Sequence, residues 1–126
     1  MTKNKQELRL TDYLNHIAQA IERIFSYTHN VNKSEWQSTP LIQDAVLRNI
    51  EVIGEASKNV QKYHPSFAKK HSAFPWDDAY WMRNVVAHGY FQVDLDIVWQ
   101  TILIDLPKFM EMIRLLQSEN STNEES

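Results

Sequence analysis

Residues 39–62 read TPLIQDAVLRNIEVIGEASKNVQK, and this stretch decides the fold. Thr39 followed by Pro40 is a helix start: a capping residue, then a proline at the first helical position, where its missing N–H costs nothing and its φ is already set. From there Leu41, Ile42, Ala45, Val46, Leu47, Ile50, Val52, Ile53, Ala56 and Val60 recur at helical spacing. So wide an apolar stripe predicts burial on two sides, against the core and against another subunit. Gly54 interrupts it at a cost of about 1 kcal/mol relative to alanine, and close approach of a second helix accounts for that choice.

The elements on either side follow the same logic. Thr11 and Asp12 read as a helix start, with an anion well placed for the helix dipole. Leu14, Ile17, Ile21, Ile24 and Phe25 then predict a helix over 11–29. The polar run from His29 to Ser38 reads as a loop. Downstream, His64-Pro65 closes the long helix and a basic loop runs through Lys69, Lys70 and His71. Pro75-Trp76-Asp77-Asp78 opens a third, shorter helix that reaches His88 and stops at Gly89, a residue suited to a left-handed cap. Asp94 caps a fourth, with Val93 and Val98 at staple positions. Its stripe is Leu95, Val98, Trp99, Ile102, Leu106, Phe109, Ile113 and Leu116, and Pro107 inside it must kink or split the helix. There is no strand signal and no internal repeat. The expected fold is an all-α, up-and-down bundle of four to five helices. Residues 1–117 form one domain, and 118–126 form a disordered polar tail.

Composition narrows the function. The chain of 126 residues has no cysteine, which excludes disulfides and thiolate metal sites. Its first residues are polar and every apolar segment is broken by charge, so a soluble cytoplasmic protein without a membrane span is expected. The net charge of -3 argues against a protein that coats nucleic acid. The charge is uneven, however. Residues 1–70 carry ten Lys/Arg against seven Asp/Glu, whereas residues 71–126 carry three against nine. Contact with nucleic acid should therefore be local.

Chemistry concentrates at Arg83-Asn84-Val85-Val86-Ala87-His88-Gly89-Tyr90. Asn84 and His88 are four apart and share a helix face, and the long side chain of Arg83 reaches the same patch. These groups suit RNA cleavage without a metal. His88 would move a proton to or from the ribose 2′-hydroxyl or the leaving 5′-oxygen. Arg83 would hold the scissile phosphate, and Asn84 would orient the imidazole or donate to a phosphate oxygen. A symmetric dimer would bring two copies together and supply acid and base at once. The plain alternative is a capping histidine beside a surface arginine.

Arg-Asn-x-x-x-His-x-Tyr is similar to the R-x4-6-H signature of HEPN domains. Arg48 to Ala56, Pro75-Trp76, Met82-Arg83-Asn84, His88 to Phe91, Val98-Trp99 and Asp105-Leu106-Pro107 further resemble the HepT-like branch, over about residues 10–116. The resemblance implies a homodimeric, metal-independent endoribonuclease, the toxin of a type VII toxin–antitoxin pair, without cofactor. It places the catalytic Arg83 and His88 at the dimer interface. It implies a minimal nucleotidyltransferase antitoxin (MNT) that transfers AMP to Tyr90. The rival reading is a catalytically silent HEPN module that docks such a nucleotidyltransferase and binds nucleotide or RNA.

Supporting residues are harder to read. Glu51 and Glu55 are like charges four apart, a mildly unfavourable pair unless a cation answers them. Arg48 and Arg83 are the candidates; Glu55 is a candidate partner for Arg83, and a solvated edge is the plainer alternative. His16, His29, His64 and His71 show no metal-ligand spacing. Trp76, Trp81 and Trp99 lie in helical patterns and read as core, leaving Trp36 as the one expected at the surface. Lys69, Lys70 and His71 could meet an RNA backbone, although a solvated loop is the commoner outcome.

Overall fold

The computed structural model describes residues 9–88 and 93–125, without the side chains of 85–88 and 121–125. The described residues are all-α with no strand. Seven helices follow in order: α1 (Leu10–Thr28), α2 (Lys33–Ser38), α3 (Pro40–Tyr63), α4 (Pro65–Lys70), α5 (Trp76–His88), α6 (Leu95–Gln100) and α7 (Leu106–Glu125). A π-helical turn, Thr101–Asp105, joins α6 to α7. None of these helices is long and apolar enough to cross a membrane.

α3 is the central helix, packed along its length against both α1 and α5. Those two neighbours account for its wide stripe within one chain. Val46, Ile53 and Val60 are completely buried, and Ile50 and Ala56 nearly so. Leu41, in the first turn of the helix, is 80% exposed. On α1, Leu14, Ile17, Ile21 and Ile24 form one buried face, as their spacing predicts. The start of this helix differs from expectation. Arg9 holds the cap position, and Thr11 lies inside the first turn, where its hydroxyl accepts from the Asn120 amide at 2.9 Å.

Two segments read as loops are short helices. Between α1 and α3, Asn32 and Glu35 form a reciprocal capping box that starts α2. This helix exists to seat Trp36. The indole is fully buried, donates to the Leu95 carbonyl at 2.8 Å and stacks on Trp99 with centroids 5.9 Å apart. The expectation of a surface Trp36 is thus corrected, and so is its counterpart: Trp81, read as core, is 66% exposed. The basic segment after His64 also becomes a helix, α4. There Lys70 and His71 face Glu119 of α7 at 3.9 and 3.6 Å rather than standing free.

Pro107 has the predicted effect by a particular route. The N–H of Leu106 bonds to the carbonyl of Thr101, five residues back. The widened turn falls directly before the proline, where an N–H is missing in any case. Asp94 caps α6 as expected, accepting from the Asp96 and Ile97 amides at 3.0 and 3.2 Å. α7 runs through residue 118, where polar composition reads as the start of a tail. Asn120 there is buried against Thr11.

Candidate active site

α5 carries Arg83 and Asn84, and its last residue is His88. Because α5 packs on α3, Arg83 is delivered against residues 51–59 of that helix. Its side chain is 28% exposed, and Nε lies 3.3 Å from a carboxylate oxygen of Glu55. Nη1 donates to the Asn84 amide oxygen at 3.2 Å. Glu55 itself is 61% exposed, so this pair contributes under about 1 kcal/mol to stability; its effect is geometric. Held at two nitrogens, the guanidinium keeps an Nη2 edge without a partner among the described residues.

Arg83 lines a cleft of about 250 Å³ together with Tyr13 and His16 from α1 and Arg48, Glu51, Glu55 and Asn59 from α3. Glu51 is answered by Arg48 at 3.5 Å, so the two like-charged glutamates each have their own cation. The cleft is therefore a near-neutral set of paired charges, in which each arginine is oriented by a carboxylate and retains N–H groups for an anion.

The structure brings together Arg83, Asn84, Glu55 and Glu51 as the sequence predicts. Arg48, a candidate cation for these glutamates, pairs with Glu51, and the structure adds His16 and Asn59, which sequence reasoning did not place here. Part of that was visible. Arg48, Glu51, Glu55 and Asn59 recur every three or four residues and make a polar stripe on an otherwise apolar helix. His16 gave no local signal, since only the packing of α1 on α3 brings it to this wall. The backbone of His88 ends α5, but its side chain lies outside the described residues, as do Gly89 and Tyr90 entirely. Lys69 lines a separate open cleft with Trp76 and Asp77.

Comparison with known proteins gives a consistent picture. The family profile described as "Ribonuclease HepT-like" matches residues 17–116. A protein of Caldanaerobacter subterraneus subsp. tengcongensis assigned as an RNase is 35% identical over 108 residues, covering 85% of this chain and 94% of its own. "Probable ribonuclease HepT" of Thermococcus cleftensis is 38% identical over 96 residues, covering 76% of this chain and 84% of its own. A Methanocaldococcus jannaschii protein, whose name joins a gamma-glutamylcyclotransferase to an RNase assignment, is 38% identical over 111 residues. The match covers 88% of this chain but only 49% of that longer protein. No solved structure matches the chain significantly.

Proposed function

Because the chain belongs to the HepT-like ribonuclease family, we propose that it is an endoribonuclease that cleaves RNA by attack of a ribose 2′-hydroxyl, with no metal ion in the step. His88 takes the proton of the 2′-hydroxyl as a new O2′–P bond forms and the P–O5′ bond breaks. The departing 5′-oxygen needs a proton in return. A second copy of His88, across a homodimer, supplies it. Arg83 binds the non-bridging phosphate oxygens and stabilises the charge that grows on them. Asn84 keeps the guanidinium aimed, and Glu55 fixes it from the other side.

One observation supports this reading above others: the Arg83 guanidinium is tied to Glu55 and Asn84, keeps donors to spare among the described residues, and belongs to a residue that lines a cleft. An arginine that only joined two helices would spend its donors on them. One held ready with donors to spare suits phosphate, whose oxygens match the guanidinium fork.

The biological role we assign is that of a toxin, silenced by a partner nucleotidyltransferase that transfers AMP to Tyr90. Tyr90 follows His88 by two residues. A phosphodiester adduct there would set a permanent anion beside Arg83 and compete with the RNA phosphate. Expression of the native chain and of His88→Ala, followed by growth and by RNA integrity in EDTA, tests the reading. Growth arrest and cleavage in EDTA, both lost in the variant, are expected. Normal growth and intact RNA with folded native protein would replace it with a non-catalytic docking module.

A further inference from the structure

In the cleft that Arg83 lines, each strong charge is answered by another. Arg48 pairs with Glu51 at 3.5 Å and Arg83 with Glu55 at 3.3 Å, and the Asn59 amide adds no charge. His16, from α1, is the one side chain of that wall whose type changes charge near neutral pH. It is exposed, and among the described residues its contact is with the Tyr13 ring, edge-on, with centroids 6.4 Å apart. Tyr13 is itself 2% exposed and stacks on Tyr63, so the imidazole rests on a fixed support. The acid one turn earlier on α1, Asp12, is answered by Arg9 at 3.8 Å. The cleft is therefore neutral while His16 is neutral. Once protonated, His16 makes a third cationic donor on this wall, and the carboxylates there are already committed to the two arginines.

We propose that His16 is a phosphate-binding residue for the RNA chain, and that its proton turns the cleft from neutral to anion-attracting. This placement rests on the nuclease reading above and adds a substrate contact from α1 to it. Both ring nitrogens of an imidazolium donate, and a phosphodiester oxygen is a matching acceptor. Arg48 and Arg83, each oriented by its carboxylate, keep N–H groups for the same stretch of backbone. The direction of the pH effect follows. RNA binds the protonated cleft better, so affinity is high on the acid side and falls as pH rises through the titration of the imidazole. The phosphodiester keeps its charge throughout, so the change comes from the protein.

The test is binding of an oligouridylate, whose bases and phosphodiesters do not titrate between about pH 5.5 and pH 8, in a His88→Ala background. Affinity should be about three- to five-fold higher at the lower pH, the range for one exposed ionic contact. The slope of log affinity against log salt should also be steeper there by about 0.7, one phosphate contact more. His16→Gln should bind at both pH values as the parent does at the higher one. His16→Lys, with a fixed cation, should bind tightly at both. His29→Gln, an exposed histidine at the far end of α1, should keep the parent's pH dependence. Position 16 is exposed, so these changes leave the core intact. Affinity that ignores pH, or a pH dependence that survives His16→Gln, overturns the proposal. So does His16→Lys binding no better than His16→Gln. The full pattern in a chain whose native form never cleaves RNA would sink the nuclease reading and leave the His16 contact standing.

Discussion

A methyl group on Gly54 would lie 2.1 Å from the Cβ of Arg83, and 2.9 Å from the carbonyl oxygen of Ala79. The missing side chain on α3 is thus the seat of the arginine on α5. Neither atom is the far end of a flexible side chain, so alanine at 54 must push the two helices apart. Helix propensity favours alanine by about 1 kcal/mol, but overpacking of this kind costs about 1–3 kcal/mol. Gly54→Ala should be net destabilising in urea denaturation. It should also lower RNA cleavage more than ten-fold, because the guanidinium moves with its helix.

Glu55 and Arg83 should separate positioning from catalysis. Glu55→Gln removes an exposed carboxylate, and stability should change by less than about 0.5 kcal/mol. Cleavage should fall only several-fold, since Asn84 still holds the guanidinium. Arg83→Ala should cost about 10²–10³ in kcat, and Arg83→Lys should not rescue it, because an ammonium lacks the planar fork. Equal losses from Glu55→Gln and Arg83→Ala would overturn this division of roles.

Arg48 borders the same cleft with 72% of its side chain exposed. On the proposed nuclease reading it stands outside the chemical step and is expected to contact the RNA backbone. Arg48→Ala should weaken binding to RNAs of different sequence by similar factors. It should also reduce the slope of log affinity against log salt by about 0.7, the value for one single-strand phosphate contact. A binding titration at several salt concentrations measures both.

Trp36 and Trp81 should respond oppositely to truncation. Trp36→Ala removes a fully buried ring that stacks on Trp99, at a cost of about 3–5 kcal/mol. Trp36→Phe keeps much of the packing but leaves the Leu95 carbonyl without its donor, costing about 1–3 kcal/mol. Trp81→Ala should leave stability within about 0.5 kcal/mol. Thermal or urea denaturation of the three variants decides it.

That contrast marks where the sequence is readable. The long helices were legible because their stripes repeat many times, and each repeat adds to the same signal. α2 has six residues and a single buried side chain, so periodicity had nothing to work with. Its capping box, Asn32 with Glu35, was the sign available. Trp81 lies in a helical pattern, yet its face is decided by where α3 packs, which is a tertiary fact. The site divides similarly. Arg83, Asn84 and Glu55 are joined by local spacing or by an unanswered charge, whereas His16 reaches the cleft only because α1 lies along α3.

The first and last helices meet along a polar ladder. Asn120 donates to Thr11, Gln117 to Asn15, and Arg114 to Glu22. The rungs run antiparallel, over sequence separations of 92 to 109 residues. Each is worth about 1 kcal/mol at most, too little to bind the helices without the apolar contacts beneath. Ile17, Ile21, Ile113 and Leu116 are buried and hold α7 through shape-dependent packing, which discriminates between alignments less sharply than a directional hydrogen bond does. A slide of α7 by one turn breaks all three rungs together, so the ladder sharpens the selection of one alignment.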